Sequence, residues 1–213
     1  MGELDNILEE AKMPQITIIG LGLIGGSLGM ALRQAYNGKA ELVGYDSNSK
    51  AHNRAKKAGI VDRTEWNLDK AVENADVVVL AVPVGATPEI FQSIGPYLKE
   101  GATITDTAST KREVLGWADE ILPESVGFVG GHPLAGSGLS GSDAATPSLF
   151  TDKKFAVISS AKAPQGSVGQ VLKIVDDIGS SPFFLSADEH DSFVAAVAHL
   201  PAVIATALVS AIA

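Results

Sequence analysis

Three glycines close an apolar run near the head of this chain. Residues 16–25 read Ile-Thr-Ile-Ile-Gly-Leu-Gly-Leu-Ile-Gly, with Gly20, Gly22 and Gly25 two and three apart. That spacing suits a dinucleotide pyrophosphate. Gly20 permits a tight turn out of a buried strand, Gly22 has no Cβ to block a phosphate, and Gly25 lets the next helix pack close to the sheet. The helix that opens through Leu23 and Ile24 offers unpaired N–H groups and a partial positive charge to the anion. The pattern gains weight from its place at a strand-to-helix junction.

A second strand, Glu41–Tyr45, ends in Asp46, about 20 residues downstream as the dinucleotide fingerprint requires. A carboxylate there accepts hydrogen bonds from the adenosine ribose hydroxyls and repels the extra phosphate of NADP. Ser47 and Asn48 follow, with no adjacent arginine to neutralise such a phosphate, so the cofactor expected is NAD. The plainer alternative makes Asp46 the N-cap of the helix beginning near Ser49.

Ligands of an open α/β sheet bind at the carboxyl ends of its strands. Besides the glycine loop and Asp46, those ends deliver Val82-Pro83, Asp106-Thr-Ala-Ser109 and Gly130-Gly-His132. Val82 and Pro83 are expected in the cofactor site. Ser109 and His132 pair a hydroxyl with an imidazole on neighbouring segments, and they are the candidates for acid–base chemistry. The competing reading makes His132 structural and Ser109 the N-cap of the next helix. Lys111 and Arg112 stand in that helix's first turn, against the dipole, so either an anion holds them or they form a solvated face. His52 and His190 read as surface helix residues. His199 lies on an apolar helix, either buried and neutral or facing substrate.

Positioning these groups requires alternating strands and helices. The strands are short and apolar without alternation, as in a parallel sheet buried on both faces. They are expected near 16–19, 41–45, 77–81, 102–105, 126–129, 155–159 and 181–185. Helices are expected at 49–58, closed by Gly59, and near 87–98, 111–121 and 167–178. Residues 1–12 form an extension, acidic and without the apolar core of a secretory signal. Residues 13–185 form the dinucleotide-binding domain. From Ser186 the character changes: acidic residues open a helix, and 193–213 is almost wholly apolar. A membrane helix is not expected there, since histidine and proline interrupt the run and no positive charge flanks it. It reads as a core helix opening a second, helical domain that continues beyond Ala213.

Composition narrows the field. The 213 residues carry a formal charge of −9, which argues against nucleic-acid binding. No cysteine is present, so thiol nucleophiles and cysteine metal sites are out of reach. No metal is expected, and the cytoplasm is the default location.

Four segments together resemble the prephenate/arogenate dehydrogenase family of tyrosine biosynthesis: Gly20-Leu-Gly-Leu-Ile-Gly-Gly-Ser27, Asp106-Thr-Ala-Ser-Thr-Lys111, Gly130-Gly-His-Pro-Leu-Ala-Gly136, and Glu189-His-Asp191 with His199-Leu-Pro201. The similarity covers nearly the whole chain after Met13. It implies a Rossmann-like domain followed by an all-helical domain that forms a homodimer. It also implies oxidative decarboxylation, in which a cyclohexadienol loses hydride to NAD and CO₂ from its ring, with no metal or second cofactor. His132 matches the family's catalytic histidine, Ser109 the residue bridging it to the nicotinamide, and Ser137 a hydroxyl that contacts substrate. His199, in the fourth segment, is expected to contact substrate as well. Two positions depart from the family: Ala202 stands where a second histidine is usual, and the arginine for the substrate carboxylate is expected beyond Ala213. The alternatives are a 3-hydroxyacid dehydrogenase, which would use a lysine, and a catalytically silent NAD-binding or dimerisation module.

Overall fold

The computed structural model describes residues 14–136, 141–160 and 163–212. The extension expected over residues 1–12, and Ser137, therefore lie outside the described residues. Eight strands form one sheet: β1 (Gln15–Ile19), β2 (Glu41–Tyr45), β3 (Arg63–Thr64), β4 (Val77–Leu80), β5 (Thr103–Asp106), β6 (Gly127–Pro133), β7 (Lys154–Ser159) and β8 (Ser181–Phe184). Their order is β3-β2-β1-β4-β5-β6-β7-β8, parallel throughout except where β6 meets β7. The chain leaves β1 toward β2 on one side and later returns to β4 on the other. That reversal opens a crevice at the carboxyl ends of β1 and β4.

Both faces of the sheet are covered, which explains why the strands show no polar alternation. Ile16 and Ile18 of β1 pack with Leu28 and Leu32 of α1 (Leu23–Tyr36), Ala51 and Ala55 of α2 (Ser49–Ala58), and Val171 and Ile174 of a later helix, Gln165–Asp177. On the opposite face Ile19, Val78 and Leu80 meet α3 (Leu68–Val72), α4 (Thr87–Ile94) and α5 (Arg112–Ile121) through Val72, Phe91, Ile94, Val114 and Ala118. The helix Gln165–Asp177 is α6. Two elements, β3 and α3, were not legible in the sequence, because two and five residues are too short to display a period.

Strand β6 departs from expectation. It does not stop at Val129 but runs on to Pro133, because its last five residues pair antiparallel with β7, His132 opposite Ala156. Gly130 and Gly131 are therefore strand residues. A Cβ on Gly131 would lie 2.5 Å from the Asp106 carbonyl oxygen and 2.9 Å from the Phe155 ring, and one on Gly130 would press on the Lys111 side chain at 3.0 Å. The glycines serve close packing of β6 on β5 and β7.

Beyond β8 a capping box on Ser186 and Glu189 starts α7 (Ala187–Val194). A π turn over Ala195–His199 leads into α8 (Leu200–Ile212). Pro201 has no N–H to offer the preceding turn, and the wider turn absorbs the missing bond. Ala187–Ile212 thus forms one 26-residue helix, long and apolar enough to cross a membrane. Its apolar residues were expected in a core. Instead Val194 is the last buried one, and residues 195–212 are all exposed.

Candidate active site

The glycine loop has the tight turn and close packing expected of it. Gly20 sits at φ 94°, in the left-handed region, and a Cβ there would lie 2.3 Å from the Ala81 carbonyl oxygen. A Cβ on Gly25 would lie 1.8 Å from the Gly20 carbonyl oxygen, so the first turn of α1 is drawn tightly onto the loop. A Cβ on Gly22, by contrast, would meet nothing within 4 Å. The space over that glycine is open, and the helix it caps carries no side-chain cap on its first N–H groups, which lead through Leu23 and Ile24. A cleft of about 440 Å³ adjoins the loop, walled by Gly20, Gly22, Asp46, Val82, Pro83 and Ile90.

Asp46 lines that cleft but does not cap α2. Asn48 is the cap, its side chain accepting from the Lys50 N–H. The Asp46 carboxylate instead accepts from the Leu21 N–H at 2.8 Å and the Asn48 N–H at 2.8 Å, which clips the glycine loop to the end of β2. Each oxygen retains further acceptor capacity. His52 is not at the surface: it is buried, donates from Nε2 to the Asp46 carbonyl at 2.7 Å, and stacks on Trp66 at 4.1 Å.

At the end of β5, Asp106 is buried and ion-paired with Lys111, which is itself wholly buried. The same carboxylate accepts from the Ala108 N–H at 3.0 Å and, across to β6, from the Gly131 N–H at 2.9 Å. The anion that holds Lys111 is the protein's own Asp106 carboxylate rather than a ligand, and no solvated face is formed there. Lys111 neutralises the carboxylate that ties β5 to β6, and its amine is not free to act as the base of a 3-hydroxyacid dehydrogenase. Arg112 is the exposed one, reaching Asp188.

His132 is half-buried near the end of β6, beside an apolar pocket of about 400 Å³ walled by Pro133, Leu134, Gly136, Phe193, Val194 and Val197. Its Nδ1 lies 2.9 Å from Nε2 of His190, whose Nδ1 lies 2.8 Å from Oδ1 of Asp191. Asp191 also caps α5 from across the fold, accepting from the Lys111 N–H at 2.7 Å and the Arg112 N–H at 3.0 Å. His190 was read as a surface residue, yet only 1% of it is exposed. The sequence held one signal: the capping box at Ser186 fixes the start of α7 and makes His190 the fourth helical residue, on the inward face.

Ser109 is exposed at the end of β5 and does not cap α5, whose start belongs to Lys111 and Asp191. Among the described residues no hydrogen bond joins it to His132. His199 is exposed on the π turn and does not belong to the wall of the His132 pocket.

Electrostatics keep His132 neutral. Burial is the main cause, reinforced by His190, Lys111 and His199 and opposed by Asp191, and together they push its pKa down from 6.5 to about 4. An uncharged imidazole beside an apolar pocket, at the same end of the sheet as the glycine-loop cleft, is equipped to take a proton from a small hydroxylated molecule.

Comparison with known proteins gives that chemistry a context. Residues 28–182 match the family described as prephenate dehydrogenase, nucleotide-binding domain. The chain is 35% identical over 199 residues to the prephenate dehydrogenase of Lactococcus lactis subsp. cremoris, covering 92% of this chain and 53% of that protein. It is 34% identical to the cyclohexadienyl dehydrogenase of Zymomonas mobilis, covering 91% and 66%. A crystal structure of prephenate dehydrogenase from Aquifex aeolicus in complex with hydroxyphenyl propionate and NAD+ matches with a TM-score of 0.87 at 31% identity, over 95% of this chain and 70% of that one. The chain spans about half the length of the first two curated relatives.

Proposed function

The chain belongs to the prephenate dehydrogenase family, and we propose that it carries the NAD-binding and acid–base part of an enzyme that oxidatively decarboxylates prephenate or arogenate, a step of tyrosine biosynthesis. One observation carries this reading: His132, neutral and beside an apolar pocket, stands at the sheet end that also bears the glycine-loop cleft.

NAD, when bound, supplies the acceptor for the hydride that leaves the substrate ring. The residues fit it: the open space at Gly22, the uncapped first turn of α1 with Leu23 and Ile24, and the close contacts at Gly20 and Gly25 suit a pyrophosphate. Asp46 offers its remaining lone pairs to the ribose hydroxyls, while Val82 and Pro83 wall the cleft. His132 accepts the proton that the ring hydroxyl sheds as it becomes a carbonyl. A base held near pKa 4 is weak, but the carboxylate of a bound substrate raises it toward the working range. Ser109, Ser137 and His199 are assigned to substrate and nicotinamide positioning. Loss of CO₂ is driven by aromatisation, so the protein's task is alignment.

We assign the exposed apolar surface of α8 to contact with a second copy of the chain in a cytoplasmic homodimer, and we divide the chain at Ser186 into a nucleotide-binding domain and a helical segment. The test of function is direct. The chain is mixed with NAD and either prephenate or arogenate, and NADH absorbance is followed. Growth with one substrate is expected. Tight NAD binding with turnover of neither would leave a silent nucleotide-binding module.

A further inference from the structure

The Glu189-His190-Asp191 segment has a geometry that the proposed chemistry does not yet use. Asp191 is an acceptor only, and its carboxyl stays below the usual carboxylate range: burial opposes the charge, but the Arg112 amide, the His190 ring and the Lys111 amide outweigh it. The proton on the 2.8 Å contact therefore belongs to His190 Nδ1. With a single proton on the His190 ring, held at Nδ1 by Asp191, Nε2 is a bare acceptor, and the 2.9 Å contact is then donated by His132 Nδ1. That leaves Nε2 of His132 with its lone pair. Two rings in series translate a single carboxylate into one tautomer at the residue that faces the pocket.

We propose that His190, oriented by Asp191, is a positioning residue that holds His132 in the Nδ1–H tautomer, so that Nε2 is the atom presented to substrate as base. The inference rests on the functional reading above for its consequence in turnover, but not for the tautomer itself. His190 has the burial such a role needs, with the same carboxylate that orients it anchored on the Lys111 and Arg112 amides of α5. The rings meet at 75° with centroids 5.1 Å apart, which suits an edge hydrogen bond rather than stacking. No atom of His190 needs to touch substrate.

The first experiment is ¹⁵N–¹H long-range correlation NMR on the wild-type chain labelled at histidine, at neutral pH and without ligand. The expected spectrum has His132 protonated on Nδ1 and bare on Nε2. His132 protonated on Nε2 would overturn the proposal, because His190 would then be the donor. The second experiment compares His190→Leu with His190→Gln, whose amide oxygen still accepts from His132 Nδ1. With the substrate that the wild type turns over, His190→Leu is expected to lower kcat by about a hundredfold with KM and NAD affinity nearly unchanged, and His190→Gln to restore most of the rate. Unchanged kcat in His190→Leu, or no difference between the two variants, would overturn it. A chain that turned over neither prephenate nor arogenate would refute the functional reading, while the spectrum would still decide the tautomer.

Discussion

His132 and His190 stand 58 residues apart in sequence, yet their rings share a 2.9 Å contact between Nδ1 and Nε2. One lies near the end of a central strand and the other in the first turns of a helix that follows the last strand. The contact joins the two parts of the chain at the one place where chemistry is expected. It exists because α7 docks on α5, with Asp191 capping the α5 amides and Val194 closing the apolar side.

Acid should weaken the fold through His132. Its folded pKa, about 4, is depressed below the unfolded value of 6.5. Between those values the unfolded chain binds more protons, so stability rises with pH across this window and is lost as pH falls toward 4. Denaturant midpoints for wild type and His132→Gln, measured from neutral pH down to about pH 4, should diverge, with the wild type losing more, on the order of 3 kcal/mol at most. Parallel curves would mean that burial does not depress this imidazole.

Lys111 should matter to stability although it faces no ligand. Replacing it with methionine leaves the Asp106 carboxylate buried and uncompensated, at a cost of about 3–5 kcal/mol in urea unfolding. Adding Asp106→Asn should recover part of that loss, since the asparagine oxygen still accepts from Gly131 while the charge is gone. A neutral Lys111→Met would remove the pair from the account of how β5 is tied to β6.

Asp46 should govern both cofactor affinity and choice. In Asp46→Asn the amide oxygen can keep one backbone contact, but the charge that repels a ribose phosphate disappears. Fluorescence titration should show NAD binding weakened by about tenfold and the preference over NADP reduced. A wild-type chain that already favours NADP would contradict the role given to this carboxylate.

The turn at Gly20, the place of Asp46 at the end of β2 and the β-branched strands were legible because their constraints are local: a tight turn, a close approach, a buried run. The full length of β6 was not legible because glycine and proline have poor strand propensity, and only pairing with β7 carries the strand through Gly130, Gly131 and Pro133. The burial of His190 and Lys111 was hidden for a related reason. Polar residues at the starts of short helices look solvated until the fold buries them: Lys111 reaches back to Asp106 beneath Gly130, and α7 carries His190 onto His132. The apolar C-terminal helix was legible as a helix. Its lack of cover was not, since a continuous apolar surface in sequence says only that something must pack on it.

The central claim is that a neutral His132 does the acid–base work and NAD binds independently of it. Substituting His132 with alanine and measuring turnover and NAD affinity on the same preparation tests this most directly. Turnover should fall by at least about a hundredfold while the Kd for NAD stays within about twofold. Retained turnover, or an equal loss of NAD binding, would show that this imidazole is part of the scaffold instead.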